Sequence, residues 1–300
     1  MLKTIVAVTL IVNHLAAIEG PYTQELGYSA VHRGVVPAEQ SSLWGADELR
    51  GHPFVILQPA SGKPVYLRFV EDVTAKTPAA GTTWGWNAIE NVVEDPDALV
   101  RQFKDSAFEV VGPPKDLWQA PNAPRAMQAL GPAGELLYFT RVIPSGMNIP
   151  ISAAATPVDR VFIMVVGGPS MPAMQDYYRN QLGLPVTSAS NWQIGVLSNA
   201  LKLPSETKYA LALAPMPSEF QIELDEYPTP ATARTVPTGS APPGIAMVTF
   251  GVDDLDDFKL PWRAPPRQIA EFPYSGRKAA VTVGPAGEWL ELVELTSSAE

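Results

Sequence analysis

The stretch Gly-Pro-Ala-Gly-Glu stands at residues 131–135 and again at residues 284–288. Each copy is followed by an apolar run rich in strand-forming residues, so each predicts a β-hairpin that leads into a strand. Five identical residues at matching places in the two halves of a chain indicate an internal repeat. We therefore predict two halves of similar structure.

The beginnings of the two halves also match. Apolar runs at 5–12 and 160–166 are each followed by Tyr-x-x-x-Leu-Gly, which ends at Gly27 and Gly183. A glycine at this place is typical of a helix C-terminus, where the chain turns into a left-handed conformation. Residues 1–17 also imitate a secretory signal, but their fit to the repeat favours a buried first strand.

Each half divides once more. Strand-like runs lead into acidic helix starts at Asp95 and Asp254, and further hairpins precede 65–71 and 220–226. An aspartate at such a junction caps the helix that follows. We predict an α+β fold of four βαβββ modules, at 1–72, 83–143, 157–228 and 243–296. The modules are expected to pair into an N-terminal domain (1–145) and a C-terminal domain (155–296).

Composition narrows the possible partners. The 300-residue chain has 46% hydrophobic residues, a formal net charge of −10 and no cysteine. The negative charge disfavours nucleic acid, because phosphate binding needs a basic surface. Absence of cysteine excludes disulfides and zinc–thiolate sites, and no stretch is long and apolar enough for a bilayer span. We expect a cytoplasmic protein whose partner is a small molecule, without nucleic-acid or membrane partners.

The doubled βαβββ pattern, the Tyr-x-x-x-Leu-Gly segments and the Gly-Pro-x-Gly hairpins resemble the vicinal oxygen chelate superfamily. That superfamily includes glyoxalases, bleomycin-resistance proteins and extradiol dioxygenases. The resemblance implies two glyoxalase-like domains, each with a concave mixed sheet whose cup holds the ligand. It also implies a possible homodimer, since members pair modules within or between chains.

Members with metal chemistry place ligands on the first and last strand of each module. The resemblance puts the four first-strand positions at Ala7, Ala88, Arg160 and Met247. It puts the four last-strand positions at Arg68, Tyr138, Glu223 and Glu291. None of these is a histidine, and the second half of the chain contains none. The 2-His-1-carboxylate set of iron dioxygenases is therefore missing, and we predict no metal and no cofactor.

Arg68, Glu90 and Tyr138 form the first candidate site, with Trp86 as a substrate-binding residue. Strand alternation from Ala88 places Glu90 on the same face, inside an N-terminal cup. Arg68 would pair an anion, Glu90 would move a proton and Tyr138 would donate a hydrogen bond. The alternative is an internal Arg68–Glu90 ion pair with ordinary aromatic packing.

Arg160, Glu223 and Glu291 form the second candidate site, with Met247 as a substrate-binding residue in the same predicted cup. Arg160 could clamp an anion while a glutamate with a raised pKa acts as a base. The alternative is a salt-bridged plug without function, since buried charges can satisfy one another.

The predicted function is a metal-independent lyase or isomerase that acts by proton transfer on a small aromatic or carbonyl compound. The alternative is a non-catalytic protein that sequesters a small molecule, like the bleomycin-resistance proteins. A metal-dependent extradiol-type dioxygenase ranks last, because the expected ligands are missing.

Overall fold

The computed structural model describes residues 1–295. Residue 296, the predicted end of the last module and of the C-terminal domain, lies outside the described residues. The observed elements follow the predicted βαβββ order four times. Asp95 and Asp254 cap the helical turns that follow them, as predicted. Their Oδ1 atoms accept hydrogen bonds from the backbone N–H groups of Asp97 and Asp256, respectively.

The first two modules have four strands each. The elements of the first are β1 (Thr4–Val12), α1 (Leu15–Gln24), β2 (Ser29–Val35), α2 (Ala38–Trp44), β3 (Pro53–Gln58) and β4 (Tyr66–Glu71). Those of the second are β5 (Gly85–Val93), α3 (Pro96–Gln102), β6 (Glu109–Asp116), β7 (Arg125–Leu130) and β8 (Leu136–Arg141). The run at 5–12 is therefore a strand, and it is almost wholly buried.

The last two modules repeat this order. The elements of the third are β9 (Val158–Gly168), α4 (Met171–Asp176), β10 (Ser190–Gln193), α5 (Gly195–Leu201), β11 (Lys208–Pro215) and β12 (Gln221–Glu226). Those of the fourth are β13 (Gly244–Val252), a 3-10 turn (Leu255–Asp257), β14 (Arg267–Gln268), β15 (Lys278–Val283) and β16 (Trp289–Glu294). As predicted, Gly27 and Gly183 have positive φ, 74° and 73°.

Within residues 1–295 the strands form two eight-stranded sheets. The first has the order β14-β15-β16-β13-β1-β4-β3-β2, and the second β10-β11-β12-β9-β5-β8-β7-β6. Module one therefore pairs with module four, and module two with module three. The sheets cross the predicted division into 1–145 and 155–296, and each half supplies one module to each sheet.

The physical reason lies in the first strands of the modules. Strands β1, β5, β9 and β13 are all nearly continuous apolar runs, which lie at the centre of a sheet. Any two of them could pair by this pattern. The antiparallel pairs that form are β1 with β13 and β5 with β9.

The repeated Gly-Pro-Ala-Gly-Glu hairpins hold the two sheets together. The hydroxyl of Tyr22 on α1 donates to Glu135 Oε1 at 2.6 Å, and that of Tyr178 donates to Glu288 Oε1 at 3.0 Å. Each tyrosine belongs to one sheet and each glutamate to the other. A Cβ on Gly131 would lie 2.1 Å from Glu135 Oε1, so glycine at this place lets the carboxyl fold back onto its own hairpin.

A large apolar core packs against one face of each sheet, and it includes residues of α1, α3 and α4. The opposite faces form the two cups. In residues 1–295, no helix has the length and apolar character needed to cross a bilayer.

Candidate functional site

The cup of the first sheet is filled by its own side chains, and we call it the closed cup. The central positions of its first and last strands are Thr9, Arg68, Thr249 and Glu291. Strands β1 and β4 place Thr9 beside Arg68, and strands β13 and β16 place Thr249 beside Glu291. The Arg68 and Glu291 side chains are 1% and 0% exposed, and Arg68 Nη2 lies 3.3 Å from Glu291 Oε2.

Two aromatic side chains complete this ion pair. Trp44, at the end of α2, donates its Nε1–H to Glu291 Oε1 at 2.8 Å. The Tyr274 hydroxyl lies 2.8 Å from Glu291 Oε1 and accepts from Arg68 Nη1 at 2.7 Å. Thr249 donates to Glu291 Oε2 at 2.6 Å. The carboxylate thus has donors on both oxygens.

Arg68 keeps its charge in this setting. Burial alone would lower the pKa of the guanidinium, but Tyr274 and Glu291 raise it above its ordinary value. The Arg68 guanidinium also stacks 4.8 Å from the centre of the Trp44 ring, a favourable cation–π distance. The Arg68–Glu291 ion pair and its aromatic partners therefore fill the closed cup, and we call this group of side chains the plug.

The cup of the second sheet contains a cavity, and we call it the open cup. Its equivalent central positions are Glu90, Tyr138, Val165 and Glu223, since β5 and β8 place Glu90 beside Tyr138, and β9 and β12 place Val165 beside Glu223. Asp225 lies two residues further along β12, on the same face as Glu223. Thr140 donates its hydroxyl to Glu90 Oε1 at 2.5 Å.

A cavity in this cup has a volume of about 430 Å³, within the range of small-molecule pockets, and of the central residues it is Tyr138 that lines it. Tyr138 and Tyr227 line it together with apolar side chains of β7, β8 and α5, and the segment 77–82 lines its rim. A Cβ on Gly167 would lie 2.5 Å from the Tyr227 ring. The absence of a side chain at Gly167 therefore lets Tyr227 lie flat in the cup.

Helices α2 and α5 explain why only one cup is plugged. Each follows the second strand of its module and ends in a residue with a left-handed conformation, Gly45 or Lys202. The last helical residue is Trp44 in α2 and Leu201 in α5. Leucine has no donor for a carboxylate, so Leu201 cannot donate to the carboxyls of the open cup as Trp44 does to Glu291.

The acidic groups of the open cup are poised near neutrality or above. Burial raises the pKa of Glu90 to about 7, against the hydrogen bond from Thr140. Burial raises the pKa of Asp225 to about 8. Burial, and then the charges of Asp225 and Glu90, raise the pKa of the partly exposed Glu223 well above its usual range. Burial, Tyr227 and the three carboxyls raise the pKa of Tyr138 well above its usual value, so its phenol stays neutral.

The first predicted site is divided between the cups. Arg68 lies in the closed cup, whereas Glu90 and Tyr138 lie together in the open cup. The prediction that these three residues line one cavity is wrong, because β4 belongs to the other sheet. The alternative Arg68–Glu90 pair is wrong too, since Arg68 pairs with Glu291. Trp86 lies outside both cups: its Nε1–H donates to the carbonyl oxygen of Trp289 between the sheets.

The second predicted site is divided as well. Glu223 belongs to the open cup and Glu291 to the closed cup. Arg160 lies at the start of β9, where it pairs with Asp159 and Glu219 and donates to Ser152 in the linker. This contact fastens the linker to the sheet.

The strand positions differ in how well they were predicted. All four last-strand residues occupy central cup positions. The observed first-strand neighbours are instead Thr9, Glu90, Val165 and Thr249. Ala7, Ala88 and Met247 lie two residues before three of these, and Met247 is packed in the apolar filling of the closed cup.

The residues of the two cups that were not predicted include Trp44, Tyr274, Asp225 and Tyr227. Asp225 and Tyr227 could have been found, because they continue the alternation from Glu223 along β12. Trp44 and Tyr274 lie on a helix and a loop that cover the sheet, and nothing in the local sequence indicates that they reach Glu291.

No family profile matches the sequence, and no curated protein resembles it in sequence. Comparison of structures gives clear matches. Glyoxalase I from Zea mays superposes with a TM-score of 0.63 at 15% identity, over 97% of this chain and 92% of that one. The fold is that of the vicinal oxygen chelate superfamily.

Two further structures have the same arrangement. A proposed dioxygenase from Bacillus subtilis matches with a TM-score of 0.61 at 13% identity, over 99% of this chain and 86% of that one. The cppA protein from Streptococcus pneumoniae matches with a TM-score of 0.51 at 12% identity, over 98% and 99%. These likenesses establish the vicinal oxygen chelate fold across the chain.

The usual metal of this fold does not fit either cup. In the closed cup a cation would meet the Arg68 guanidinium, and the only central carboxylate, Glu291, already accepts four hydrogen bonds from neighbouring groups. In the open cup, Val165 cannot ligate and Tyr138 is a neutral phenol. Among residues 1–295, no three His, Cys, Asp or Glu side chains converge as a metal site requires.

Proposed function

We propose that the open cup is a proton-transfer site, and that the chain is a metal-independent lyase or isomerase acting on a small aromatic or carbonyl compound. The observation that carries this proposal is a cavity of about 430 Å³ lined by Tyr138, whose neighbour across β5 and β8 is Glu90, a buried glutamate with a pKa of about 7. A general acid or base works best when its pKa lies near the working pH.

Glu90 is the group that accepts and returns the proton. Among residues 1–295 its carboxyl accepts a side-chain hydrogen bond from Thr140, at Oε1, which leaves Oε2 for a substrate proton. Tyr138 lies beside Glu90 across β5 and β8 and also lines the cavity. Its neutral phenol donates a hydrogen bond to a substrate oxygen, where charge develops as the proton leaves.

The lining of the cavity sets the kind of molecule that is bound. Leu130, Leu136, Val196 and Leu197 present apolar surface, and Tyr138 and Tyr227 present ring faces. Such a pocket favours a compact ligand with an aromatic ring or an alkyl group, and a few polar groups of the pocket fix the orientation of that ligand. The proposal needs no metal, because a nearby neutral donor and a base of matched pKa are sufficient for proton abstraction next to a carbonyl group.

Solvent exchange tests this proposal. Aromatic ketones with and without an amino group, such as phenylacetone and 2-(dimethylamino)acetophenone, are incubated with the protein in D₂O. Loss of the α-proton signal is followed by NMR. We expect exchange with the unmodified protein and a fall of about 100-fold or more in Glu90→Gln. The matched control is Glu288→Gln, which removes another buried carboxyl with a pKa of about 7, outside the open cup.

Equal exchange rates in Glu90→Gln and the unmodified protein would show that Glu90 is not the base. Exchange that requires an added divalent ion and stops with a chelator would overturn metal independence. Tight binding of probes that all return unaltered would instead support the alternative, a sequestering protein, and would refute the enzyme.

A further inference from the structure

The two tyrosines that line the cavity have hydroxyl groups without a partner. A buried phenol usually finds a hydrogen-bond partner, and five buried tyrosines elsewhere in the chain have one. These are Tyr22, Tyr28, Tyr178, Tyr209 and Tyr274. Within residues 1–295, the hydroxyls of Tyr138 and Tyr227 form no hydrogen bond with another group of the protein. Unlike the unpartnered Tyr177 hydroxyl, they are not sealed from solvent. Both donors are therefore free to bind a ligand in the cavity.

The two phenols lie near each other and keep their protons. Tyr138 stands at the centre of β8, and the ring of Tyr227 lies over Gly167 of β9, where no Cβ keeps it away. Burial raises the pKa of both phenols well above the usual value. Tyr227 itself raises the pKa of Tyr138 further, which shows that the two groups are close. The charges of Glu223 and Asp225 act on both phenols in the same direction. Both hydroxyls therefore remain neutral donors.

The wall of the cavity is uncharged. Among the described residues that line it there is no aspartate, glutamate, histidine, lysine or arginine. Glu223 and Asp225 do not belong to the lining, and Asp225 Oδ1 is sealed from solvent. A charged group that entered the cavity would lose its water without gaining an ionic partner, which is costly. The cavity should therefore prefer an uncharged ligand.

The cation beside Tyr227 does not change this conclusion. Arg234 lies close enough to Tyr227 to influence its pKa. However, its guanidinium donates to Thr83 Oγ1 and to the carbonyl oxygens of Trp86 and Ile245, and it does not line the cavity. Arg234 is thus engaged in fastening the chain after β12 to the start of β5. An anionic ligand would find no cation in the cavity wall within the described residues.

We propose that the cavity selects an uncharged carbonyl compound with an apolar, preferably aromatic, body, and that Tyr138 and Tyr227 both donate to its carbonyl oxygen. This inference rests on the proposed function and narrows the substrate class of the same cavity, because it excludes acids and amines and assigns Tyr227 as a second donor. A carbonyl oxygen has two lone pairs and can accept two hydrogen bonds. The body of the ligand packs on the apolar lining, which includes Leu136, Val196 and Leu197.

Calorimetry with four probes built on one benzene ring tests the ligand class. Acetophenone is neutral and has a carbonyl oxygen, and ethylbenzene has a similar shape without an acceptor. Benzoate is an anion at neutral pH and 1-phenylethylamine is a cation. We expect acetophenone to bind at least about tenfold more tightly than either charged probe, because neither charge has a partner in the cavity wall. Equal or tighter binding of a charged probe, or no binding of acetophenone, would overturn the proposal.

Two variants identify the donors. Tyr138→Phe and Tyr227→Phe should each lower the affinity for acetophenone by about fivefold or more, since each removes one hydrogen bond, and should leave the affinity for ethylbenzene unchanged. The infrared carbonyl band of bound acetophenone should move to higher frequency in each variant, because the carbonyl group loses a donor. A purely structural role of the tyrosines would not shift this band.

Tyr209→Phe is the matched control. Its hydroxyl is buried and paired with Ser198, and it does not line the cavity, so the affinity for acetophenone and the carbonyl band should not change. Thermal unfolding shows which variants are folded, and the two independent substitutions keep the test valid if one is not. An unchanged ratio of the acetophenone and ethylbenzene affinities in the folded tyrosine variants would overturn the proposal.

The two proposals fail separately. Glu90→Gln should abolish proton exchange but keep the preference for acetophenone over the charged probes. If acetophenone binds selectively and no ketone exchanges its protons, the binding inference stands and the proposed activity fails. If phenylacetone exchanges protons equally well in Tyr227→Phe, the activity stands and the assignment of Tyr227 as a donor fails.

Discussion

The ion pair of the closed cup can be tested by removing its members one at a time and together. Glu291→Leu would leave the Arg68 guanidinium uncompensated in a site where both side chains are at most 1% exposed. Removing one partner of a buried ion pair costs about 3–5 kcal/mol in the free energy of unfolding. Trp44 Nε1 and the Thr249 hydroxyl would also lose their acceptor, which places the expected loss toward the upper end of about 3–5 kcal/mol.

The double variant Arg68→Met/Glu291→Leu should cost less than the sum of the two single changes. An apolar pair leaves no charge unpaired, and buried ion pairs replaced in this way lose little stability. Recovery is incomplete here, because Trp44 and Tyr274 still lack an acceptor. We expect a coupling energy of about 2 kcal/mol or more, at the upper part of the range for residues in direct contact.

The assay is urea unfolding followed by tryptophan fluorescence. Asp253→Asn serves as the control, because its ion pair with Lys3 lies at the surface and should change the free energy of unfolding by less than about 1 kcal/mol. Additivity of Arg68→Met and Glu291→Leu to within about 0.5 kcal/mol would refute the plug, because it would mean that the two side chains do not interact.

Two further predictions concern the hairpins between the sheets. Gly131→Ala should lower the urea midpoint of unfolding, because its Cβ would lie 2.1 Å from Glu135 Oε1. The control Gly62→Ala should show only the strain of a positive φ, since nothing lies within 4 Å of its Cβ. Equal losses in the two variants would refute the close-contact explanation. Burial raises the pKa of Glu135 and of Glu288 to about 7. The protonated carboxyls therefore stabilise the folded state fully below about 4.5, the pKa of a glutamate in the unfolded chain, and this stabilisation is lost as the pH rises through 7. Glu135→Gln should therefore flatten the decrease in urea midpoint between pH 5 and pH 8, and an unchanged slope would contradict the raised pKa.

The sequence was sufficient for the four modules, because hairpin glycines, helix caps and apolar strands are local signals. The pairing of modules was not predictable in this way. The central strands β1, β5, β9 and β13 have the same apolar pattern, so the order along the chain suggested neighbours that the sheets do not use.

The register of the strands was the second feature that the sequence did not predict. Strand β1 is irregular between Ile5 and Ala7, and β5 is irregular between Trp86 and Ala88. A bulge inserts one residue and changes which side chains face the cup. Ala88 and Glu90 both follow the bulge, so alternation from Ala88 places Glu90 correctly in the cup. Trp86 precedes the bulge, so the same alternation assigns it wrongly to the cup. The last strands have regular pairing with their neighbours, and their four central residues were predicted correctly.

The two cups use one scaffold for different purposes, and the difference can be traced to the covering segments. In the closed cup, Trp44 and Tyr274 reach down from a helix and a loop and complete the hydrogen bonding of Glu291. In the open cup the corresponding helix ends in Leu201, and Asp225 keeps an oxygen without a donor. Tyr138 and Tyr227 line a cavity in the open cup, whereas Trp44 and Tyr274 occupy the corresponding space of the closed cup by contacting Glu291. The open cup is therefore the one that we propose to hold a ligand.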